Sequence, residues 1–370
     1  MTTIAARAAR PLPREIVAGL PVYSKAGGSA PPTWRASSNE SFLPPSAAVL
    51  AAIDAAARNV QKYPTLQGDP LTAALARQLG TAEGQIVAGA GSLAVLQQLL
   101  TAYAGPGRNV VFAWRSYEAY PILVRLTGAR DIQVPLTATH EHDLEAMAAA
   151  VTDNTAAVIL CSPNNPTGTV IGQAALESIL KSIPPHVLVV LDQAYLEFMD
   201  DAGPSSRHSL ALLAAHPNLV LLRTFSKAHG LAGLRAGYMV AATDIAEAVR
   251  AVSPPFGLNA LAEVAAVAAL DDTAALEAAV STVRRGRSEL HSEVAARGLA
   301  VPDSGGNFLW LPVGDGAASL EAACLAEGVS VRCFAGEGVR VTVGSRDAEA
   351  AVVRAVDTWL ACAQGWEQLG

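Results

Sequence analysis

The sequence predicts an α/β protein, in which a large domain with a mainly parallel sheet flanked by helices is followed by a smaller α+β C-terminal domain. Between residues 85 and 242, short runs that are apolar throughout alternate with amphipathic helical stretches. Strands of this kind occur in parallel sheets that are covered on both faces. After about residue 270 the pattern changes to a long charged helical stretch and then to alternating strands, which is typical of an α+β unit.

The strand candidates of the large domain follow one another along the chain. They are residues 85–90, 109–114, 156–162, 187–193, 218–224 and 236–242. Ligands of parallel sheets gather at the carboxyl ends of the strands. We therefore expect the functional residues in the segments that follow these strands.

The ends of the chain complete the predicted organisation. A helix is predicted at 275–297, followed by the strand candidates FLWLPV, VSVR and VRVTVG and a last helix. The N-terminal segment is rich in Pro and Gly as far as Pro45 and has no core of its own, so we expect it to lie across the cleft or on a partner subunit. The predicted division is an arm at 1–40, a large domain at 41–270 and a small domain at 271–370.

Composition excludes several classes of protein. Of the 370 residues, 51% are apolar and 16% are charged, as in a globular chain with a large core. The net charge is -7 and no run of Lys and Arg exceeds a pair, so nucleic acids and membrane surfaces are poor partners. No transmembrane helix or secretory signal is indicated. The four cysteines have no zinc spacing, so we expect no metal and a reduced, cytoplasmic compartment.

A glycine-containing turn is the first candidate for a binding site. GAGS (89–92) lies between a strand candidate and the helical run LAVLQQLLTAY. Glycine lets the backbone turn tightly, and the free N–H groups at a helix start attract an anion. Ala90, Gly91 and Ser92 are therefore candidate anion-binding residues, although a plain strand-to-helix turn is the better explanation of the motif when it is taken alone.

Two further motifs follow strand ends. In SPNNPTG (162–168), Pro163 and Pro166 hold Asn165 between them, so its amide can point at a fixed acceptor with little entropy to lose. In LDQAYLEF (191–198), Asp192 ends a strand that is apolar enough to be buried, and Tyr195 follows three residues later. A buried carboxylate needs a cationic or protonated partner.

The segment RTFSKAHGLAGLRAGY (223–238) carries the most chemistry. It places Lys227 on a short turn after an apolar strand, next to Ser226 and two helical turns before Arg235. A lone lysine in a turn is usually a solvated surface charge. Together with the other motifs, however, it predicts a site in which a lysine binds the aldehyde of a phosphate-bearing pyridine cofactor, namely pyridoxal 5'-phosphate.

Each candidate has a role in that site. Asp192 keeps the ring nitrogen protonated, which makes the ring an electron sink, while Asn165 and Tyr195 bind the ring hydroxyl oxygen. Ser226, Arg235 and residues 90–92 hold the phosphate, with Arg235 as a bidentate clamp. Lys227 is the catalytic residue, first as the covalent ligand and then as general base and acid.

With these motifs the chain resembles fold-type I aminotransferases. The closest resemblance is to the histidinol-phosphate aminotransferase family and, within it, the aromatic (phenylalanine) aminotransferase branch. The matching motifs occur in the family's order over nearly the whole chain: SSNE, YPTLQGDPL, GAGS, WRSYEAY, SPNNPTG, DQAY, RTFSKAHGLAGLR, GGNFLWLP and VRVTVG. The resemblance implies an aspartate aminotransferase-like fold with a seven-stranded sheet. DQAY replaces the more usual DEAY, and His229 stands where Tyr or Phe is common; both changes are interpreted as tolerated.

The resemblance also implies roles for residues outside the cofactor motifs. Tyr117 stacks on the cofactor ring, and Tyr63 reaches the phosphate of the neighbouring subunit's cofactor, which implies a homodimer. Arg340 binds the anionic group of the substrate. Asn39 and Asn307 line the same site.

The choice of substrate depends on another set of residues. Phosphate-specific members commonly have a tyrosine in the segment that matches SPPFGLN (253–259), where this chain has Phe256. Losing that hydroxyl removes a hydrogen bond to a charged group, worth about 1.5–3 kcal/mol, and favours an aromatic side chain. Tyr23 and Arg332 still match anion-binding positions of the phosphate-specific branch. We expect transamination of phenylalanine or tyrosine with 2-oxoglutarate, with histidinol phosphate as the alternative amino donor.

Two other classes of protein are alternatives to an aminotransferase. A decarboxylase of the threonine-phosphate type can use the same scaffold, and release of carbon dioxide without consumption of a keto acid would reveal it. A transcription regulator with an aminotransferase-like domain carries an additional DNA-binding module, whereas here about 40 residues precede the family match and they contain no basic recognition helix. An inactive relative is disfavoured because Lys227 and Asp192 are both present.

Overall fold

The computed structural model describes residues 11–20, 32–200 and 205–367. The strands in these ranges are β1 (Trp34–Arg35), β2 (Ile86–Gly89), β3 (Asn109–Trp114), β4 (Arg130–Pro135), β5 (Thr155–Cys161), β6 (Leu188–Asp192), β7 (Leu219–Thr224), β8 (Gly237–Val240), β9 (Phe308–Leu311), β10 (Val329–Ser330), β11 (Arg332–Phe334) and β12 (Gly338–Thr342).

The α-helices lie mostly between these strands. They are α1 (Glu15–Ala18), α2 (Ala47–Ala57), α3 (Asp69–Leu79), α4 (Ser92–Tyr103), α5 (Ala119–Thr127), α6 (Leu144–Ala149), α7 (Gln173–Ser182), α8 (Ser206–Ala215), α9 (Thr243–Val252), α10 (Ala260–Asp271), α11 (Thr273–Ala295), α12 (Ala317–Ala326) and α13 (Arg346–Glu367). Short 3₁₀ helices span Glu83–Gln85, Leu196–Phe198 and Gly314–Gly316.

The large sheet has seven strands in the order β2-β8-β7-β6-β5-β3-β4. Strand β8 is antiparallel to both of its neighbours, β2 and β7, and the other pairs are parallel. The predicted mainly parallel sheet is therefore confirmed. Strand β4 was not among the strand candidates.

Alternating side chains bury both faces of this sheet. In β5, Val158 and Leu160 belong to one apolar core, whereas Ala157 and Ile159 belong to a second core on the other face. Successive side chains of a strand point to opposite faces, so an unbroken apolar run fills both cores. Helices pack on both faces of the sheet. The carboxyl ends of β5, β6 and β7 are left uncovered, and we call this end of the sheet its open edge.

The C-terminal part contains a three-stranded antiparallel sheet in the order β11-β12-β9. It shares an apolar core with α11, α12 and α13 that includes Leu290, Leu320 and Val352. The helix expected at 275–297 runs from Thr273 to Ala295. The run VSVR is divided between β10 and β11, which belong to different sheets.

The segment at 34–36 joins this C-terminal part. Strand β1 pairs in parallel with β10, the Ala36 N–H donates to the Ser330 carbonyl at 2.8 Å, and the Thr342 N–H donates to the Ala36 carbonyl at 2.9 Å. These bonds hold residues 37–40 against the open edge of the large sheet. Within the described part of the chain, no helix has the length and apolar character needed to cross a membrane.

Candidate active site

A cavity of about 520 Å³ lies between the open edge of the large sheet, residues 35–40 and the strands β10 to β12. Most of the side chains that the sequence singled out line it. They are Asn39, Ser92, Tyr117, Asn165, Asp192, Tyr195, Ser226, Lys227, Arg235, Arg332 and Arg340. Residues as far apart in the sequence as Asn39 and Arg340 therefore meet at one site, at the edge that the parallel sheet predicted.

Lys227 lies in the turn that follows β7. Its Nζ donates to the carbonyl oxygens of Ser38 at 3.1 Å and Asn39 at 3.2 Å. Burial, and then the positive charge of Arg340, lowers the pKa of Lys227 to about 7. A large fraction of the amine is therefore uncharged at neutral pH, and an uncharged amine can act as a nucleophile or accept a proton.

Asp192 is the last residue of β6 and is buried. Its Oδ2 accepts a hydrogen bond from the Tyr120 hydroxyl at 2.7 Å, and its Oδ1 accepts one from the Ala194 N–H at 3.2 Å. Burial raises the pKa of the Asp192 carboxyl to about 6, and both donors oppose that rise. Sequence reasoning missed Tyr120; its position three residues after Tyr117, in the first turn of α5, was the available signal.

The turn before α4 forms a cradle for an anion. Gly91, the N-cap residue of α4, has φ +89° and offers no side chain to cap the first N–H groups of the helix. Arg235 Nη1 donates to Ser226 Oγ at 3.2 Å. A Cβ at Gly91 would lie 2.6 Å from Arg235 Nη2, so only glycine leaves room for the guanidinium beside this helix start. Helix N–H groups, a hydroxyl and a guanidinium together suit a phosphate.

Asn39 is the centre of a buried polar network. Its Nδ2 donates to the Tyr195 hydroxyl at 2.8 Å, and its Oδ1 accepts from Thr342 Oγ1 at 3.0 Å. Its carbonyl accepts from Asn307 Nδ2 at 3.2 Å. Among the described residues, the buried Oδ1 of Asn307 has no hydrogen-bond donor, and Asn307 itself lies behind Asn39 and does not line the cavity.

Two arginines project from the small sheet. Arg340 in β12 is buried and donates to Asn165 Oδ1 and to the Ser37 carbonyl. Arg332 in β11 is the cross-strand neighbour of Arg340. Glu118 accepts hydrogen bonds from Arg332 at 2.7–3.1 Å.

Several predicted site residues do not line this cavity. Tyr63 is 82% exposed, and its ring stacks on Phe256 with 4.8 Å between the ring centroids. Both rings are exposed on the surface of the chain, and neither contributes to the wall of the cavity. Ala90 is exposed in the turn before α4. Tyr23 lies outside the described residues.

The two departures from the family pattern also lie outside the cavity. Gln193 donates to Ser209 Oγ at 2.8 Å and accepts from Arg223 Nη2 at 3.0 Å. His229 packs on Phe225 with 4.8 Å between centroids, and burial lowers its pKa to about 4. Both side chains make contacts inside the protein and away from the cavity. Across the ranges that the structure describes, no group of three or more His, Cys, Asp or Glu side chains is arranged to hold a metal ion.

Comparison with known proteins agrees with this geometry. The family model described as aminotransferase class I and II matches residues 35–356. An aromatic amino acid aminotransferase from Streptomyces coelicolor is 44% identical over 333 residues, which are 89% of this chain and 92% of the relative. One from Thermobifida fusca is 47% identical over 311 residues, 84% of this chain and 86% of the relative.

Solved structures give the same result. The histidinol-phosphate aminotransferase from Sinorhizobium meliloti, solved in complex with pyridoxal-5'-phosphate, has a TM-score of 0.84 and 29% sequence identity, with 94% of this chain and 97% of that chain covered. The predicted fold class, enzyme class and family resemblance are confirmed. The chain belongs to the aminotransferase class I and II family.

Proposed function

We propose that this aminotransferase transfers the amino group of an aromatic amino acid, phenylalanine or tyrosine, to 2-oxoglutarate and uses pyridoxal 5'-phosphate as its cofactor. The observation that carries the proposal is the convergence of Lys227, Asp192 and Arg340 on one cavity. The names of the relatives from Streptomyces coelicolor and Thermobifida fusca support the choice of an aromatic donor.

The residues present fit this cofactor. Asp192 is a buried carboxyl, and neither of its described hydrogen-bond donors, the Tyr120 hydroxyl and the Ala194 N–H, carries a charge. A protonated pyridine nitrogen would supply the missing cation. At the other end of the cavity, the start of α4 with Ser226 and Arg235 would hold the phosphate. Tyr117 lines the same cavity, and its ring meets that of Tyr120 edge-on with 5.6 Å between the ring centroids.

The chain's own residues would carry the proton transfer. When bound, pyridoxal phosphate supplies an electron sink for the negative charge that develops at the substrate's α-carbon. Lys227 Nζ would hold the cofactor at its aldehyde carbon, and once the substrate's amine has displaced it, the free amine would move the substrate's α-proton as general base and acid. Its lowered pKa, about 7, favours the uncharged form that this role needs.

The remaining polar groups would orient the substrate. Arg340 is buried and fixed by Asn165 and Ser37, so its guanidinium is preorganised for the α-carboxylate. Asn307 faces the same polar network through Asn39. These groups bind the part that all amino acids share and do not select the side chain.

We also propose a homodimer in which the exposed Tyr63 serves the partner's site. In this arrangement, residues 1–40 are an arm, residues 41–270 the cofactor-binding domain and residues 271–370 the small domain. The exposed position of the stacked Tyr63 and Phe256 rings supports the proposal, because large aromatic side chains on a surface are typical of an interface.

The test is a paired assay of the purified enzyme. Phenylalanine, tyrosine, leucine and histidinol phosphate are compared as donors with 2-oxoglutarate. We expect the highest kcat/KM for phenylalanine or tyrosine, and an absorbance near roughly 420 nm from the bound cofactor. Lys227→Ala should lose that absorbance and the activity, because no other described lysine lines the cavity.

Lys181→Ala is the matched control, since Lys181 is exposed on α7. It should keep both signals. A kcat/KM for histidinol phosphate that exceeds the value for phenylalanine more than tenfold would overturn the donor assignment. Persistence of the absorbance in Lys227→Ala, purified without added amine, would overturn the role of Lys227.

A further inference from the structure

Two arginines face the cavity from adjacent positions of one sheet. Arg332 and Arg340 are directly opposite each other in the antiparallel pair β11 and β12, and both line the cavity. Residues directly opposite in such a pair have Cβ atoms about 4.5–5.5 Å apart and share a face of the sheet. Two cations so placed form a surface that suits a substrate with two anionic groups.

Glu118 changes the charge of that surface. It follows Tyr117 at the beginning of α5, and both of its carboxylate oxygens accept hydrogen bonds from Arg332, at 2.7, 2.9 and 3.1 Å. The Arg332 side chain is 12% exposed and that of Glu118 is 27% exposed. A two-pronged pair with this little exposure is stronger than an ordinary surface ion pair.

The two arginines therefore differ in what they offer to a substrate. Among the contacts that the structure describes, Arg340 donates to the neutral acceptors Asn165 Oδ1 and the Ser37 carbonyl, whereas Arg332 donates to a carboxylate. The opposite charges of Glu118 and Arg332 offset each other, so Arg332 attracts a substrate anion less than it would without Glu118.

We propose that Glu118 is a specificity-determining residue. By holding Arg332 it withdraws the second cation of the wall, so that the cavity favours a substrate whose side chain is uncharged over one whose side chain ends in a carboxylate or phosphate. The inference rests on the proposed transamination of an aromatic amino acid and explains how its donor is selected. An acceptor with a distal carboxylate, such as 2-oxoglutarate, has to compete with Glu118 for Arg332.

The test measures binding of two unreactive acids to the holoenzyme by titration calorimetry. Glutarate and 3-phenylpropionate each offer one carboxylate to Arg340, and they differ at the other end, where glutarate has a second carboxylate. We expect Glu118→Gln to tighten glutarate about tenfold, the usual value of a hydrogen bond to a charged group. Binding of 3-phenylpropionate should change less than twofold.

Two further variants isolate the cause. In Glu118→Gln/Arg332→Gln the gain for glutarate should disappear, because it depends on the freed guanidinium. Glu337→Gln is the matched control, since Glu337 also pairs with an arginine, Arg115, beside Phe334 but does not line the cavity. It should leave both dissociation constants within twofold of the wild type.

Kinetics should change in the same direction. In Glu118→Gln the KM for 2-oxoglutarate should fall, and kcat/KM for histidinol phosphate should rise relative to phenylalanine. An unchanged dissociation constant for glutarate in both Glu118→Gln and Glu118→Ala, or a gain that persists in the double variant, would overturn the role of Glu118. Failure of phenylalanine as a donor for the wild type would instead overturn the proposed function, and the calorimetric comparison does not depend on it.

Discussion

Asp192 is a buried carboxyl whose described neighbours provide hydrogen bonds but no positive charge. Burial raises its pKa from the usual value near 3.8 to about 6. Between these two values the folded chain binds more protons than the unfolded chain, so rising pH lowers the free energy of unfolding across this range. Above about pH 6 the Asp192 side chain is charged, and its buried charge lowers the free energy of unfolding by the full amount until a cation binds.

Replacement of Asp192 should therefore have opposite effects on stability and on activity. With the cofactor removed, Asp192→Asn should be more stable than the wild type at pH 7 by on the order of 3 kcal/mol, and the difference should vanish near pH 4. Urea unfolding at several pH values measures it. Transamination should be lost, because an amide cannot keep the ring nitrogen protonated. A difference in stability that does not depend on pH would contradict this account.

The hydrogen bond from the Tyr120 hydroxyl to Asp192 leads to a second prediction. This hydrogen bond lowers the pKa of Asp192 against the effect of burial. Tyr120→Phe should raise that pKa further and weaken cofactor binding at pH 7 about tenfold, as expected for loss of a hydrogen bond to a charged group. Fluorescence titration with the cofactor measures the change. Tyr103→Phe, which removes a hydroxyl from α4 away from the cavity, is the control and should bind normally.

Sequence reasoning identified Lys227, Asp192 and Arg235 because each stands in a local motif whose chemistry is specific. It missed Tyr120 and Glu118, although both lie in the segment WRSYEAY. Their roles depend on Asp192 and Arg332, which are 72 and 214 positions away. A contact over such a distance leaves no periodicity in a single sequence.

At the scale of elements, β8 and the start of α4 approach each other unusually closely. A Cβ at Gly237 would overlap the backbone of Gly91 and Ser92. The backbone cannot move aside without displacing the helix start that forms the anion cradle. Gly237 is therefore required by packing between two elements, not by its own backbone conformation.

Gly237→Ala should consequently lower the free energy of unfolding by about 1–3 kcal/mol and also weaken binding of the cofactor phosphate. Chemical unfolding and cofactor titration measure the two effects. Gly233→Ala is the control, because a Cβ there meets nothing within 4 Å; it should stay within about 0.5 kcal/mol. Equal stability of the two variants would show that the gap between β8 and α4 adjusts freely.

The elements that were predicted differ physically from those that were missed. The strands β5, β6 and β7 are buried along their whole length, so their apolar runs are distinct in the sequence. Strand β4 is at the sheet edge and includes the exposed Arg130 and Pro135, and edge strands often carry charged residues and proline. Strand β1 contains two residues, too few for a pattern.

At the scale of the whole molecule, the proposed dimer makes a prediction about mixed subunits. If Tyr63 serves the partner's site, a heterodimer of a Lys227→Ala chain and a Tyr63→Ala chain contains one site with both native residues. Each variant alone should be inactive or weakened. When their subunits are mixed at random, about a quarter of the wild-type activity should return at limiting cofactor. Activity after subunit exchange measures it.

The control for this experiment pairs Lys227→Ala with Arg235→Ala. Both residues serve the cavity of their own chain, so no mixed dimer has an intact site and no activity should return. If the mixture of Lys227→Ala and Tyr63→Ala is only as active as the two variants are when measured separately, the result would contradict a site shared between subunits.

The pairing of β1 with β10 has a consequence for how the protein is made. Lys227 Nζ donates hydrogen bonds to the carbonyls of Ser38 and Asn39. The segment that contains these two residues is held in place by the backbone hydrogen bonds of Ala36 with Ser330 and Thr342. On a ribosome, the strands of the large sheet, which end at Val240, emerge roughly a hundred residues before the segment that fixes Ser38 and Asn39. The nascent chain can build its phosphate cradle early, but it completes the surroundings of the reactive lysine only after the strands β10 and β12 have also emerged.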